Sequence, residues 1–292
     1  MKQALIIINK KAGTPGRKQA AEGIKRWMNP ALFSYELAFT RYAGEAIELS
    51  RKAAESGLDL VIAVGGDGSV NEVARGLVQS KTALGILPMG SGNGLARSLQ
   101  IPLSLPKAVD VINRFQSRTI DVGFANDRLF VSNAGVGFDA LVAKNFAHSR
   151  RRGFLSYVFT VIRSLAVHQP GHYRLHIDGT ATERKAFFIG VANGNQLGYN
   201  FKIAPDATVD DGLLDLCIVG PLPLWRLPLA AIRSYNGSLP QSPYVTYQRC
   251  RELQIETDTA LEWMQSDGDP IAVSGNHLQV RILPGALKVV VP

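Results

Sequence analysis

Val61-Ile62-Ala63-Val64-Gly65-Gly66-Asp67-Gly68-Ser69 is the stretch on which the fold turns. Leu58–Val64 is a short, continuous apolar run, as expected of a strand buried on both faces. It leads directly into glycines, and Ser69–Gln79 then reads as a helix. A strand that ends in glycines and opens into a helix is a design for holding phosphate. Glycine permits positive φ and close backbone approach. A helix N-terminus adds N–H groups without intrahelical partners and the positive end of a dipole. In this reading Asp67 reaches a metal-bound phosphate or its Mg2+ network. Ser69 caps the helix, and Asn71 and Glu72 lie on its first turn. A plain tight turn with Asp67 as a helix cap explains the same residues.

A second copy of the pattern separates these readings. Leu87-Pro88-Met89-Gly90-Ser91-Gly92-Asn93-Gly94-Leu95-Ala96 repeats the glycine turn and helix start after the next strand, Ala83–Leu87. Adjacent parallel strands place both turns at the carboxyl edge of one sheet, where open α/β folds bind ligands. Neither turn contains Gly-Lys-Ser/Thr, so neither is a Walker A loop. Neither reads Gly-x-Gly-x-x-Gly, which disfavours a dinucleotide site.

Outward from the turns, the first third of the chain alternates strand and helix. Ala4–Ile8 reads as a buried strand; Thr14-Pro15-Gly16 follows, and then a helix-like stretch to about Met28. Leu32–Phe39 reads as a strand and Ala43–Ser56 as a helix stopped by Gly57. Another helix begins near Asn93. This order predicts a parallel sheet with helices on both faces. After about Asp121 strands dominate: Leu129–Asn133, Tyr173–Asp178, Ala186–Ala192, Leu213–Val219, Gln248–Thr257 and Leu261–Gln265. Gly153–Val167 and Leu224–Tyr235 read as helices, and Gln279–Leu283 and Ala286–Val291 as final strands. The expected architecture is an α/β nucleotide-binding domain over residues 1–122 and a β-rich domain, a β-sandwich, over 123–292. The last strands are candidates to return to the first domain.

The 292 residues are 46% hydrophobic, enough for a real core. Lys and Arg number 32 against 24 Asp and Glu, a net charge of +8 that favours acidic partners. Cys217 and Cys250 lack metal or redox spacing and read as ordinary reduced thiols. The apolar run Leu5–Ile8 ends at Asn9-Lys10-Lys11, too early for a signal peptide. No window approaches the ~20 apolar residues of a membrane span. A cytoplasmic protein is expected, with membrane contact limited to the periphery of the inner face. No helix-turn-helix or interleaved basic-aromatic module points to nucleic acid.

Taken in order, these segments resemble the diacylglycerol kinase catalytic family, which includes bacterial lipid kinases and the sphingosine kinases. The resemblance is carried by Gly65-Gly66-Asp67-Gly68-Ser69-Val70-Asn71-Glu72-Val73, Pro88-Met89-Gly90-Ser91-Gly92-Asn93 and Asp121-Val122-Gly123. It continues through Asn133-Ala134-Gly135-Val136-Gly137-Phe138-Asp139, Pro205-Asp206-Ala207 and Asp210-Asp211-Gly212-Leu213-Leu214-Asp215-Leu216 to Asp267-Gly268-Asp269. It spans essentially the whole chain and is specific for the family, not for the acceptor.

The resemblance implies transfer of the γ-phosphate of ATP, with Mg2+, to a lipid hydroxyl at a membrane surface, the acceptor being diacylglycerol-like or sphingoid-like. It implies nucleotide contacts from Asn9, Lys11, Gly65, Gly66, Asp67, Gly68, Ser69, Asn71, Glu72, Gly90, Ser91, Gly92 and Asn93. Asp67 and Asp121 match network acids around the metal, and Asp211 with the Leu213 carbonyl resembles a second, structural cation site. A solvated strand end explains the lysines after Asn9 as well, and a β-turn explains Asp211. Asp269 takes the place of the family's general-base glutamate, one methylene shorter, with Asp267 as the fallback. Asp139 matches acids that meet the acceptor's polar head. The chain departs from the family's second loop, where Gly94 replaces an acidic residue. An NAD kinase-like phosphotransferase and a non-catalytic nucleotide- or lipid-binding regulator are the alternatives, and oligomeric state is open.

Two features fall outside the motifs. His148-Ser149-Arg150-Arg151-Arg152 is either a grip for anionic headgroups or a solvated charge cluster. Phe146, Phe154, Tyr157 and Phe159 either line an acyl pocket or pack in a core.

Overall fold

The computed structural model describes residues 1–9, 14–149, 154–196 and 200–292. They form two compact units, Met1–Asp121 with Gly285–Pro292, and Val122–Pro284.

The first unit runs β1 (Lys2–Ile8), α1 (Thr14–Trp27), β2 (Phe33–Phe39), α2 (Glu45–Glu55), β3 (Leu60–Gly65), α3 (Asp67–Leu77), β4 (Ala83–Pro88), α4 (Gly94–Ser98), α5 (Leu105–Arg114) and β5 (Ser117–Ala125), which leads out of it. The strands lie in the order β2-β1-β3-β4, all parallel. Every residue of β3 and of β4 is buried. That is the physical reason for their unbroken apolar sequence, since helices cover both faces. At its end the chain returns to this unit, with Val289 pairing in parallel with Leu84.

The second unit contains β6 (Arg128–Phe130), β7 (Asn133–Gly137), α6 (Phe138–Ala147), α7 (Phe154–Leu165), β8 (Gly171–Ile177), β9 (Thr180–Ala186) and β10 (Phe188–Ala192). It continues with β11 (Leu214–Val219), α8 (Leu227–Asn236), β12 (Val245–Cys250), β13 (Glu252–Glu256), β14 (Trp263–Ser266), β15 (Asp269–Ala272) and β16 (His277–Val290). One antiparallel sheet has the order β12-β11-β10-β7-β14-β15. Facing it, β13 pairs with β8 and with β16, and β9 lies beyond β8. Val136, Ile189 and Leu216 of the first sheet share a core with Leu175, Leu253 and Val280 of the second, which makes a sandwich. The other face of the six-stranded sheet carries Cys217 and Val219, packed with Phe187, Ile203 and Leu239.

Several boundaries differ from the sequence expectation for identifiable reasons. Gln248–Thr257 is two strands, because the chain changes sheets at Arg251. Asp178 Oδ1 fixes that corner by accepting the N–H groups of Arg251 (3.0 Å) and Glu252 (2.9 Å). The two expected final strands are one, β16, which bends where Gly285 takes φ 58°. The strand read at Leu129–Asn133 is replaced by β6 and β7 on either side of a short turn.

Candidate active site

The two glycine turns pack directly against each other at the carboxyl ends of β3 and β4. Met89 N–H extends their ladder by donating to the Gly65 carbonyl (2.8 Å). A Cβ on Gly90 would lie 2.4 Å from Gly66 Cα, and one on Gly66 would lie 3.0 Å from Gly90 Cα. Glycine is therefore required at position 90 for close approach of two backbones, while at position 66 a side chain would be a tight fit. The expected positive φ occurs at none of Gly65, Gly66, Gly68, Gly90, Gly92 or Gly94; it occurs at Asn93, with φ 54° and ψ 48°. Asn93 supports this conformation itself, Oδ1 accepting Gly90 N–H (3.0 Å) and Nδ2 donating to the Gly90 carbonyl (2.7 Å). Asn and Asp are the side chains that tolerate the left-handed region through such local bonds.

Asp67 joins the turns. Its Oδ2 accepts Asn93 N–H (2.8 Å) and its Oδ1 accepts Gly94 N–H (2.6 Å). Asp67 thus holds the N-terminus of the neighbouring α4, and two charge-assisted bonds fix one turn relative to the other. Arg97 Nε closes the second turn by donating to the Gly92 carbonyl (2.9 Å), and Ser91 is exposed above it.

Ser69 does not cap α3. The cap position is Gly66, with no side-chain cap bond, and Ser69 lies buried in the first turn. Its Oγ accepts Asn9 Nδ2 (2.5 Å), which ties the end of β1 to the start of α3. Gly66 at the cap position offers no side-chain acceptor to the first turn of α3, and a helix N-terminus is a favourable place for an anion. Glu72 Oε1 accepts Gly44 N–H (3.1 Å) at the start of α2. Asn71 is partly buried on the same helix. Lys11 lies outside the described residues, as do Arg150, Arg151 and Arg152.

Asp121 sits within β5 and is almost fully buried. Its Oδ1 accepts Gly285 N–H (2.7 Å), the residue where the chain re-enters the first unit.

In the second unit, Asp267 and Gly268 form the two-residue loop between β14 and β15, with φ 49° and φ 84°. Two positive φ values make a type I′ hairpin, the geometry an Asp-Gly pair favours. Asp267 is buried, and its carboxylate accepts three successive backbone N–H groups: Val131 (2.9 Å), Ser132 (2.8 Å) and Asn133 (3.1 Å). That gives it the task of holding the turn before β7, beside its place in the sequence reading as fallback base. Asp269, at the start of β15, is exposed.

Behind this hairpin lies a polar chain in which the sequence reading assigned no role to Gln265. Gln265 Nε2 donates to Asn133 Oδ1 (2.8 Å) and to Asp139 Oδ2 (3.2 Å), and its Oε1 accepts Gly268 N–H (3.0 Å). Asp139 lies in the first turn of α6 and fills space left by Gly135, where a Cβ would meet Asp139 Oδ2 at 2.1 Å. Burial pushes the Asp139 carboxyl up to about 7, against the pull of Gln265 and the Ala140 N–H. Burial, aided by the Asp139 charge, pushes the Tyr173 phenol and the Cys217 thiol up to about 12.

The Asp211–Leu213 turn differs from a cation cage. Asp211 Oδ1 accepts Leu213 N–H (3.0 Å), Gly212 takes φ 73°, and Asp211 Oδ2 is 3.7 Å from Arg249 Nη1. Arg249 Nε also stands 3.4 Å from Asp215, a fully buried carboxylate that accepts the Tyr247 hydroxyl. The positive charge at this turn is a guanidinium of the chain, so the donor set does not fit the second cation site. Among the described residues no group of three or more His, Cys, Asp or Glu side chains is arranged to hold a metal.

A parallel α/β unit with clamped glycine turns, followed by a β-sandwich, is the fold shared by diacylglycerol kinases and NAD kinases. Comparison with known proteins agrees. Residues 3–125 match the diacylglycerol kinase catalytic domain, and residues 132–291 match the YegS C-terminal NAD kinase beta sandwich-like domain. A probable lipid kinase YegS-like protein of Chromohalobacter salexigens is 31% identical over 99% of this chain and 92% of its own length. A diacylglycerol kinase of Bacillus subtilis is 27% identical over 92% of this chain and 90% of its own length. A diacylglycerol kinase crystal structure from Bacillus anthracis superposes with a TM-score of 0.75 at 22% identity, covering 100% of this chain and 97% of that one. The chain belongs to the YegS-like lipid kinases of the diacylglycerol kinase catalytic-domain family.

Proposed function

We propose that this chain transfers the γ-phosphoryl group of ATP to the hydroxyl of a lipid, diacylglycerol-like or sphingoid-like, at the cytoplasmic face of a membrane. The observation that carries the reading is the Asp67 clamp. One carboxylate holds the N–H groups of Asn93 and Gly94, so two phosphate-type turns on adjacent strands act as one rigid element.

Phosphoryl transfer needs alignment and charge neutralisation more than covalent chemistry from the protein. In this reading the turns from Gly65 to Ser69 and from Gly90 to Asn93 hold the nucleotide phosphates against the positive end of α3, whose cap residue is Gly66. Asn9 supports that end through Ser69. Lys11, Asn71 and Glu72 stay candidates for nucleotide contact from the sequence alone. Mg2+, when bound, supplies neutralisation of the phosphate oxygens. Asp67 and Asp121 stay candidates for an outer-sphere role around that ion, as the family resemblance implies.

On the acceptor side, exposed Asp269 takes the proton of the attacking hydroxyl. As that oxygen bonds to the γ-phosphorus, the bond to the bridging oxygen breaks and ADP leaves. Asp139, with its carboxyl near 7, meets the acceptor's polar head either as donor or as acceptor.

The test is incubation of the purified chain with Mg-ATP and a total lipid extract, products being identified by mass spectrometry. A phosphorylated lipid, absent with Asp67→Ala, is expected. Equal labelling by the variant, or conversion of NAD to NADP with no labelled lipid, overturns the reading.

A further inference from the structure

Helices α7 and α8 are amphipathic with their polarity reversed. On α7, Leu155, Phe159 and Ile162 recur at i, i+4 and i+7 and are 83%, 67% and 61% exposed. The inward face carries small polar side chains: Ser164 is fully buried and Thr160 nearly so. Their hydroxyls are satisfied locally, Thr160 Oγ1 donating to the Ser156 carbonyl (2.8 Å) and Ser164 Oγ accepting Asn145 Nδ2 of α6 (2.9 Å).

The α8 segment repeats the inversion. Trp225, Leu229 and Ile232, at the same spacing, are 72%, 45% and 60% exposed, while Ser234 is buried. Ser234 Oγ donates to the Lys202 carbonyl (3.1 Å). Both helices rest on one core cluster over the outer face of the six-stranded sheet, α7 through Leu165 and α8 through Ala230. Both helices therefore lie over the same face of that sheet. A surface helix ordinarily turns its apolar stripe inward. Single exposed apolar side chains need no explanation, but a contiguous set marks an interaction surface.

Charge names the partner. Residues 140–177 carry six Lys or Arg and no Asp or Glu, and residues 216–251 carry four Arg and likewise no Asp or Glu. Arg163 follows directly on the α7 stripe, and Arg226 and Arg233 flank the α8 stripe. Apolar side chains with tryptophan at one end and arginines alongside match the boundary between acyl chains and anionic headgroups.

We propose that the α7–α8 layer is the surface by which this chain docks on an anionic lipid bilayer. The apolar stripes enter the acyl boundary, and the arginines lie at the level of the phosphates. The inference rests on the proposed reaction for why a bilayer is the surface met, and its test is read without turnover so that each can fail alone.

The test is flotation of the full chain with phosphatidylcholine vesicles containing about 30% phosphatidylglycerol, against pure phosphatidylcholine. Two variants are compared, Leu155→Ser/Phe159→Ser/Ile162→Ser and Trp225→Ser/Ile232→Ser. Because these side chains are exposed, thermal midpoints stay close to that of the parent chain. The parent floats with anionic vesicles, and each variant's partition coefficient falls by about tenfold or more. Variants that float like the parent overturn the proposal. So does a parent chain that fails to float and is instead a dimer that the substitutions dissociate. A chain that floats as expected but phosphorylates no lipid leaves docking standing and removes the reaction. Turnover of detergent-dispersed lipid without flotation removes docking alone.

Discussion

One methyl group at Gly90 tests whether the two glycine turns form a single site. A Cβ there would lie 2.4 Å from Gly66 Cα and 2.8 Å from Asn93 Oδ1. Carbon pairs prefer about 3.5–4.0 Å, so the turns must part by roughly 1 Å. Gly90 does not have positive φ, so alanine fits the local backbone and the whole cost is contact. Overpacking of this kind costs about 1–3 kcal/mol. The reciprocal Gly66→Ala starts from 3.0 Å, so its gap is roughly half as large. Its contact cost, under about 1 kcal/mol, is offset by the ~0.4–1 kcal/mol that losing a glycine takes from the unfolded chain. The order expected is therefore Gly90→Ala clearly destabilised and Gly66→Ala near neutral. Parting the turns also pulls Asn93 and Gly94 away from Asp67, so Gly90→Ala weakens ATP binding by about tenfold, ~1.4 kcal/mol. Thermal unfolding and calorimetric titration of both variants read these quantities. Equal costs, the reverse order, or parental ATP affinity in Gly90→Ala would refute the reasoning.

Other expectations concern the second unit. Asp267→Ala leaves three buried backbone N–H groups without their acceptor, and urea unfolding should show a loss above about 3 kcal/mol, with Asp267→Asn losing less. Asp139 has a folded-state carboxyl raised to about 7, so between about pH 4 and 7 the unfolded chain has released a proton that the folded chain keeps. Its contribution makes stability fall as pH rises through that window, with a slope of up to about 1.4 kcal/mol per pH unit. Asp139→Asn should flatten it when denaturation is followed against pH. Asp269 is exposed at the hairpin, so Asp269→Asn should lower kcat by about 100-fold or more with a stability change within about 0.5 kcal/mol. A parallel loss of stability would assign Asp269 a structural role instead.

What was legible in the sequence follows from locality and burial. β3 and β4 are buried throughout, so their apolar runs announce them, and the glycine turns follow within a few residues. β7 was hidden because Asn133-Ala134-Gly135-Val136-Gly137 has poor strand propensity and is held by pairing on both sides, with β10 and β14. β9 was hidden because it is a largely exposed, polar strand beside β8. In the site, the motif residues were legible but their partners were not. Asp267 meets Val131, Ser132 and Asn133 across sequence separations of 136, 135 and 134, which no local pattern encodes. Likewise Ser69 reads as a cap by position, yet its hydroxyl meets Asn9 across 60 residues. Asp215 carried a readable signal, a charge inside the apolar strand Leu214–Val219, but its partners Tyr247 and Arg249 come from β12.

The central claim is that the paired turns together hold the nucleotide, and amide hydrogen exchange with and without Mg-ATP tests it most directly. The account predicts that exchange slows in both the Gly65–Ser69 and the Met89–Leu95 segments at the same nucleotide concentration, and that Asp67→Ala removes both effects. Slowing in one segment alone, or in neither while ATP is bound, would contradict it.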